Sequence, residues 1–314
     1  MNIASLPKAE LHCHLDGVLD RAMLHQIREA DPTFPIDPAV FEQAYPVHNF
    51  DTFLRWWQFC QPIYGQLPRY YPILRAHIER LKTEGVRYTE LMIPSGSLPR
   101  QPAQAVEAMT ALRAFGDQFE SDAFQAEFII CIGRGKTPEE FAAVAERVLA
   151  LKQAGLIVGV AVAGIEMGNP VRPYQQTMAR FREAGLGIEI HAGEWVGAES
   201  VWDALEYGFP NRIGHGVSLF ADPRLVEVVQ QRGLHIELCP TSNLKTGSIA
   251  SLSVHPIGQA AALGLSFSIN TDDPGIFENS MSLEYQRLAD TFDFGEAYFQ
   301  RVFQQSLEAR FRSM

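Results

Sequence analysis

The strongest restriction on the fold of this sequence is a regular alternation of short apolar segments with longer segments of helical period. Segments predicted as strands cover residues 11–17, 86–93, 126–132, 156–163, 186–191, 212–216, 234–238 and 265–270. Segments predicted as helices separate most of them, at 76–82, 103–119, 137–154, 174–184, 198–207, 223–231 and 257–263. Such alternation predicts parallel strands joined by right-handed helical crossovers. Eight strands of this kind close a (β/α)8 TIM barrel of the α/β class.

The length and one unusual segment refine this prediction. A chain of 314 residues has the size of one barrel, so we predict a single domain over 1–314. Segment 31–72, after the first predicted strand, is rich in proline and aromatic residues and is predicted as a helical insertion. One interpretation is a second apolar core, and the other is a cap that covers a flat ligand and excludes water. The segment can be both.

Composition narrows the class of partner. Acidic residues number 37 against 26 basic ones, for a net charge of -11, which argues against nucleic acid and favours a small-molecule partner. Residues 1–8 lack the features of a signal peptide, and no apolar run reaches membrane-spanning length, so the expected location is cytoplasmic. The four cysteines are scattered, which indicates reduced thiols.

A histidine pair marks the end of the first predicted strand. His12 and His14 are two residues apart, so both side chains point to the same face of the strand, and Cys13 points away. Two imidazoles so placed suit a metal such as zinc. Taken alone, the pair fits two unrelated histidines equally well.

Polar side chains follow other predicted strands at the same point. The carboxyl ends of the strands carry His12, His14, His191, Glu194, His215, Asp272 and Asp273. The sequence Asp272-Asp273-Pro274 by itself is typical of a turn or a helix N-cap. Because the carboxyl ends of all barrel strands share one face, where active sites lie, the whole set predicts one site.

The predicted ligands leave room for water. We expect His12, His14, His191 and Asp272 to bind zinc, with His215 close by, which is a catalytic rather than a closed structural arrangement. Zinc lowers the pKa of bound water toward neutrality, and Asp272 and His215 can hold that water. Glu194 can act as proton donor, which leaves Asp273 free for the substrate. Structural roles are expected for His25, His48, His77, His235 and His255.

Five motifs together give a family resemblance. They are Pro7-Lys8-Ala9-Glu10-Leu11-His12-Cys13-His14-Leu15-Asp16-Gly17, His191-Ala192-Gly193-Glu194, Gly214-His215-Gly216, Cys239-Pro240-Thr241-Ser242-Asn243 and Asn270-Thr271-Asp272-Asp273-Pro274. In this order they closely resemble the adenosine deaminase family of the amidohydrolase superfamily. The resemblance implies one zinc ion per subunit and attack of zinc-activated water at C6 of a purine, with release of ammonia.

The same resemblance implies the roles of single residues. Glu194 would protonate N1 and His215 would orient the water. Asp273 would bind N7, the Gly164 backbone N3, and Asp16 the ribose 5′ region, and Phe53 and Trp57 would cover the ring. The implied activity is deamination of a 6-aminopurine nucleoside such as adenosine or deoxyadenosine.

Three departures from the family pattern leave the substrate open. Met92 replaces an arginine, Ile165 replaces an aspartate, and the bulky Trp195 follows Glu194. These departures favour 6-aminodeoxyfutalosine or another 5′-modified adenosine as the alternative substrate. Free adenine is disfavoured because adenine deaminases of the family tend to carry glutamate where Asp16 stands. A different zinc amidohydrolase and a non-catalytic purine-binding protein are the remaining hypotheses.

One further motif is rejected. Gly133-Arg134-Gly135-Lys136-Thr137 resembles the end of a phosphate-binding loop, but Ile130 stands where that loop requires its first glycine.

Overall fold

The computed structural model describes residues 1–60, 62–63 and 65–311. At position 58 it describes only the backbone. Gln61 and Tyr64, which belong to the predicted insertion, and residues 312–314 lie outside the described residues. No helix within the described part of the chain is long and apolar enough to cross a membrane.

Eight parallel strands form one sheet in the order of the sequence. They are β1 Lys8–His14, β2 Val86–Pro94, β3 Gln125–Gly133, β4 Gly159–Ala163, β5 Gly187–Ala192, β6 Arg212–His215, β7 His235–Leu238 and β8 Phe267–Ile269. The barrel closes where Asp272 pairs with Cys13, since the His14 N–H donates to the Asp272 carbonyl at 2.9 Å. The predicted (β/α)8 barrel is confirmed.

Helices surround the barrel and cover its ends. Within the described residues they are α1 Arg21–Ala30, α2 Pro38–Phe41, α3 Phe50–Cys60, α4 Tyr71–Thr83, α5 Pro102–Asp117, α6 Pro138–Gln153, α7 Gln175–Glu183, α8 Ala198–Asp203, α9 Pro223–Arg232, α10 Pro240–Thr246, α11 Ile257–Ala262, α12 Met281–Phe292 and α13 Glu296–Ala309. Local chemistry sets several starts. For example, Thr137 and Glu140 form a reciprocal capping box at the first turn of α6.

Several predicted element boundaries differ from the observed ones. Strand β1 begins at Lys8 and ends at His14, because residues 15–17 form a 3-10 turn whose Gly17 carbonyl accepts the Gly275 N–H at 2.9 Å. The predicted helix 198–207 is α-helical to Asp203, and a wider π turn follows over residues 204–208. Residues 240–246, after β7, form a helix that was not predicted, α10, whose first turn accommodates Pro240.

The amino-terminal end of the barrel is filled by Phe311. Its ring lies 3.4 Å from the guanidinium carbon of Arg212 and packs in a cluster with Met92, Ile129, Val158 and Ala161. Space for the ring comes from Gly187, since a β-carbon built on that residue would lie 2.2 Å from the ring carbons of Phe311. This end is therefore closed, and a ligand enters at the carboxyl ends of the strands.

The predicted insertion contains α2, α3 and a 3-10 turn, Leu67–Tyr70. Trp56 is fully buried and donates through its indole N–H to the hydroxyl of Tyr45, which in turn donates to the Gly275 carbonyl. Because Gly275 belongs to the loop after β8, the segment is held against the catalytic end of the barrel. Its role as a cap stays a prediction.

We expect Gly187→Ala to lower the free energy of unfolding by about 1–3 kcal/mol, because the new methyl group overpacks against Phe311. In a Phe311→Ala background the same substitution should cost less than about 0.5 kcal/mol, since the clash is gone. Urea denaturation measures both. Gly295→Ala, which has open space around the added carbon, is the control. Equal costs for Gly187→Ala in both backgrounds would contradict the proposed packing.

Candidate active site

The barrel brings five of the predicted residues together at the carboxyl ends of its strands. His12 and His14 end β1, His191 lies in β5, His215 ends β6, and Asp272 follows β8. The Asp272 Oδ1 atom lies 3.2 Å from His12 Nε2 and 3.3 Å from His14 Nε2. The His191 and His215 rings are 4.8 Å apart and lie 4.5 and 5.0 Å from the His12 ring. All five side chains are buried.

Backbone conformation at two of these residues is unusual. His215 and Asp272 adopt the left-handed region, with φ of 63° and 64°. Such conformations cost about 1 kcal/mol or more for non-glycine residues and persist where the surroundings enforce them, often at active sites. Next to His215, a β-carbon on Gly214 would lie 3.0 Å from Glu189 Oε1 and 3.1 Å from His12 Cε1. A larger residue there would displace the site.

Burial keeps three of the four histidines neutral. It lowers the pKa of His14 to about 4, that of His215 to about 3, and that of His191 well below the usual value. Burial raises the pKa of Asp272, but the hydrogen bond from His12 and the nearby histidines lower it below its usual range. Neutral imidazoles and an ionised carboxylate are the protonation states in which these side chains bind metals.

His12 is oriented by buried charges beneath the site. Its Nδ1 atom lies 2.9 Å from Glu237 Oε2 and 2.7 Å from Glu189 Oε1. Arg212 pairs with Glu237 at 2.5 Å and with Glu90 at 2.5 Å. Because Nδ1–H is donated to a carboxylate, loss of the proton from Nε2 would leave the Nε2 lone pair facing Asp272 and the cavity. Sequence reasoning missed these acids, although Glu189 precedes His191 by two residues and so shares its face of β5.

The donor set fits a catalytic divalent metal. The ligand atoms of His12, His14 and Asp272 lie within 4.8 Å of one another, and so do those of His12, His191 and His215. The Nε2 atom of His191 is buried with no hydrogen-bond partner among the described residues. Several imidazoles with one carboxylate is a zinc-type set that leaves a position for water.

Glu194 faces the same cavity from the loop after β5. Its Oε2 atom lies 3.6 Å from His215 Nε2. Burial, reinforced by the charges of Asp272 and Glu166, raises the pKa of Glu194 well above its usual value. A carboxyl group in this state is protonated near neutral pH and can donate a proton.

Glu166 holds the loop that carries Glu194. Its buried carboxylate accepts the backbone N–H groups of Gly193 at 2.5 Å, Trp195 at 2.8 Å and Val196 at 3.1 Å, and the Ser200 hydroxyl. These donors flank Glu194 on both sides, so Glu166 determines where its side chain points. Sequence reasoning assigned Glu166 no role, because its partners lie about 30 residues away along the chain.

Two carboxyl groups form another wall of the site. Asp16 and Asp273 are buried, and the Oδ1 atom of each has no hydrogen-bond partner among the described residues. Burial, with the charge of Asp272, raises the pKa of Asp273 well above its usual value and that of Asp16 to about 7. Asp273 Oδ1 lies 1.8 Å from where a β-carbon on Gly17 would be, so glycine is required there.

The remaining predicted residues line one cavity of about 340 Å³. Its walls contain Asp16, Phe53, Trp57, Gly164, Glu194, His215, Asp272 and Asp273, together with the ligand candidates His14 and His191. His12 lies behind this surface and is fully buried. The volume is near the lower end of the range of about 300–1,000 Å³ for small-molecule sites.

The three departures from the family pattern occupy different places. Met92 is buried in the cluster around Phe311, whereas Ile165 is 47% exposed and lines the cavity. Trp195 also lines the cavity, and its ring lies 4.9 Å from that of Phe50 on α3. Ile165 and Trp195 can therefore contact a substrate, whereas Met92 packs in the Phe311 cluster and does not line the cavity.

Comparisons with known proteins agree with this site. The family model described as adenosine deaminase matches residues 7–314. The chain is 32% identical over 309 residues to an adenine deaminase of Rhizobium johnstonii, covering 98% of this chain and 95% of the relative. It is 29% identical over 303 residues to an aminodeoxyfutalosine deaminase of Acidothermus cellulolyticus, covering 91% and 83%.

Solved structures share the fold. An adenine deaminase from Arthrobacter aurescens superposes with a TM-score of 0.83 at 23% identity, covering 98% of this chain and 94% of that chain. An amidohydrolase from Burkholderia ambifaria with bound zinc superposes with a TM-score of 0.82 at 21% identity, covering 99% and 87%.

The barrel and its buried histidines and carboxylates define a hydrolytic deaminase that acts on a C–N bond. The match over nearly the whole chain is more specific, and the chain belongs to the adenosine deaminase family.

We expect Glu166→Gln to lower kcat by about 10- to 100-fold, because an amide cannot accept all the loop donors that hold Glu194. Loss of the Glu166 charge also lowers the pKa of Glu194, so the alkaline limb of the pH–kcat profile should move to lower pH. Steady-state rates between pH 5 and 10 test this. Glu199→Gln, at an exposed position nearby, is the control. A lower rate with an unmoved alkaline limb would show a purely structural role.

Proposed function

We propose that this protein hydrolyses the exocyclic amino group of a 6-aminopurine nucleoside such as adenosine or deoxyadenosine, giving the 6-oxo product and ammonia. The observation that carries the proposal is that two carboxyl groups whose pKa is raised, Glu194 and Asp273, face the same small cavity as the buried histidines and Asp272. A purine ring presents acceptor nitrogens, which need donors of this kind.

In the proposed site, His12, His14, His191 and Asp272 would hold one zinc ion. Zinc bound there would lower the pKa of a coordinated water toward neutrality. The buried His191 Nε2, the convergence of imidazoles on Asp272, and the zinc in the Burkholderia ambifaria structure support this assignment.

Two side chains, His215 and Asp272, position the attacking water and accept its proton. Asn243 Nδ2 donates to His215 Nδ1 at 3.2 Å, which places the proton of the neutral ring on Nε2. This Nε2 atom lies 3.3 Å from His191 Nδ1 beside the cavity, and its N–H could turn from that contact to donate to the water oxygen. The Ser242 hydroxyl donates to Asp272 Oδ2 at 2.7 Å, and Asp272 can accept the water proton. In this scheme the oxygen bonds to C6 as its proton passes to the carboxylate.

Glu194 completes the reaction from the other side of the substrate. Its protonated carboxyl donates to ring N1, which makes C6 more electrophilic as the C6–O bond forms. The amino group then takes up the proton held by Asp272, the C6–N bond breaks and ammonia leaves. The proton of the C6 hydroxyl returns to the Glu194 carboxylate, which gives the 6-oxo product. The raised pKa of Glu194 supports this order of events, because the proton is present before the substrate binds.

Substrate recognition uses the rest of the wall. The protonated Asp273 donates to N7, the Gly164 backbone N–H donates to N3, and Asp16 meets the ribose 5′ region. Phe53 stacks on Phe277 at 5.8 Å between ring centres and, with Trp57, forms the apolar cover. A flat aromatic ring suits this cover and its exclusion of water.

Free adenine is a second candidate substrate, because the relative at 32% identity is an adenine deaminase. A 5′-modified adenosine is a third, favoured by the aminodeoxyfutalosine deaminase relative and by Ile165 and Trp195 in the cavity wall.

The deciding experiment measures ammonia release by zinc-loaded protein with adenine, adenosine, deoxyadenosine, methylthioadenosine and 6-aminodeoxyfutalosine. We expect the highest kcat/KM on a purine that carries a sugar. Adenine as the best substrate would replace the nucleoside assignment. No turnover of any 6-aminopurine would refute the proposed function. Protein stripped of metal by a chelator and reloaded with zinc tests metal dependence within the same assay.

Glu194→Gln should keep zinc but lose about 10²- to 10⁴-fold in kcat, because it removes the proton donor and leaves the ligand set unchanged. Metal content by elemental analysis and steady-state ammonia release measure the two effects separately. Asp51→Asn, an acidic residue on the exposed side of α3, is the control. Near-normal activity of Glu194→Gln would disprove its role.

A further inference from the structure

The cavity is electrostatically asymmetric. One part of its wall carries the acidic residues and histidines of the proposed reaction centre. Among the described residues that line the cavity, Lys136 alone carries a permanent positive charge. The reaction scheme above gives this residue no role, although it lies in the wall of a site on a chain with net charge -11.

The ammonium group of Lys136 lies beside two glycines. Its Nζ atom donates to the Gly133 carbonyl at 3.1 Å and lies 3.7 Å from where a β-carbon on Gly133 would be. Gly133 in turn adjoins Gly164, because a β-carbon on Gly164 would be 3.7 Å from the Gly133 Cα. Lys136 is therefore on the side of the cavity to which we assign purine N3. Since N3 and the sugar-bearing N9 are joined through one ring carbon, that side also receives the sugar.

The backbone of Lys136 is firmly held. Its carbonyl accepts the Tyr174 hydroxyl at 2.8 Å, and the Tyr174 ring stacks on Phe141 at 4.1 Å. The next residue, Thr137, is the N-cap of α6 and is tied to Glu140 in the capping box. The Glu140 carboxylate therefore accepts the Thr137 N–H at the start of the helix, and Glu139 beside it is exposed.

The Lys136 ammonium group has more N–H donors than hydrogen-bond acceptors among the described residues. It carries three N–H groups, and within the described residues its hydrogen-bond acceptor is the single carbonyl of Gly133. A neutral sugar gains little from a lysine at this place. A phosphate or carboxylate gains a charge-assisted hydrogen bond, which is about twice as strong as a neutral one.

We propose that Lys136 selects substrates that carry an anionic group, phosphate or carboxylate, on the sugar side of the 6-aminopurine. This inference rests on the proposed function and narrows its substrate class. The anion would face Lys136 at the Gly133–Gly164 wall, beyond the ribose 5′ position that we assign to Asp16, while the amino group faces Glu194 and Asp272. The acidic groups of the opposite wall would disfavour the reversed orientation.

Kinetic selectivity tests the inference. The substrates are adenosine, adenosine 5′-monophosphate and adenosine 5′-carboxylic acid, assayed with zinc-loaded protein. We expect kcat/KM for at least one anionic substrate to exceed that for adenosine by tenfold or more, with the preference falling as salt rises. The anionic substrate with the higher kcat/KM identifies whether Lys136 recognises phosphate or carboxylate.

Substitution assigns the effect to the side chain. In Lys136→Met, a neutral variant of similar length, the anionic-to-neutral ratio of kcat/KM should fall at least tenfold, and Lys136→Arg should keep most of it. Lys152→Met, at the far end of α6 and outside the cavity wall, should leave the ratio unchanged. A wild-type ratio near one, or an equal loss on all three substrates in Lys136→Met, overturns the inference.

Binding separates this inference from the proposed reaction. Calorimetry compares inosine 5′-monophosphate with inosine on zinc-loaded wild type and on Lys136→Met. Tighter binding of the phosphate that disappears in Lys136→Met supports the role of Lys136 even if no 6-aminopurine is turned over. Equal binding of both compounds to wild type refutes a phosphate subsite, and turnover without an anionic preference then leaves the proposed function standing alone.

Discussion

The site depends on a buried line of charges, Glu90–Arg212–Glu237–His12, that runs from the closed end of the barrel to its reactive end. An unpaired arginine or glutamate in this dry interior would be costly, whereas each member here has a partner of opposite charge or a hydrogen bond. The line ends at His12 Nδ1, and the opposite ring nitrogen faces Asp272. Packing at the bottom of the barrel and chemistry at its top are thus coupled, because Arg212 also lies against the Phe311 ring.

Environment, rather than residue type, divides the acidic groups of the site into two kinds. Asp272 is held ionised because His12 and the other imidazoles surround it, while the next residue, Asp273, has its pKa raised by burial and by the charge of Asp272 itself. Glu194 has its pKa raised for the same reasons. In the proposed reaction, one ionised carboxylate beside two carboxyl groups of raised pKa would supply a ligand, a proton donor and a ring-binding donor from the same functional group.

Site residues that follow from local sequence patterns could be predicted, whereas those that act through contacts between distant segments could not. His12 and His14, two apart on one strand, and Asp272 and Asp273, at a strand end, could be located from local periodicity and from the rule that barrel strands share one reactive face. Glu166, Glu237 and Arg134 could not, because each acts on a residue far away in the chain. Arg134, for instance, donates to the His191 carbonyl from the end of another strand. The strand boundary at His14 was wrong because a contact between Gly17 and Gly275 ends the pairing.

The amino-acid sequence by itself determined the barrel, the face on which the site lies and most of the residues in it, because parallel strands with covered faces have a distinct apolar pattern and their ends carry the polar residues. The tertiary structure alone decided which carboxyl groups have a raised pKa, how the Glu194 loop is tied to Glu166, and that Lys136 is in the cavity wall. These properties arise from burial and from contacts between distant segments, which local sequence does not encode.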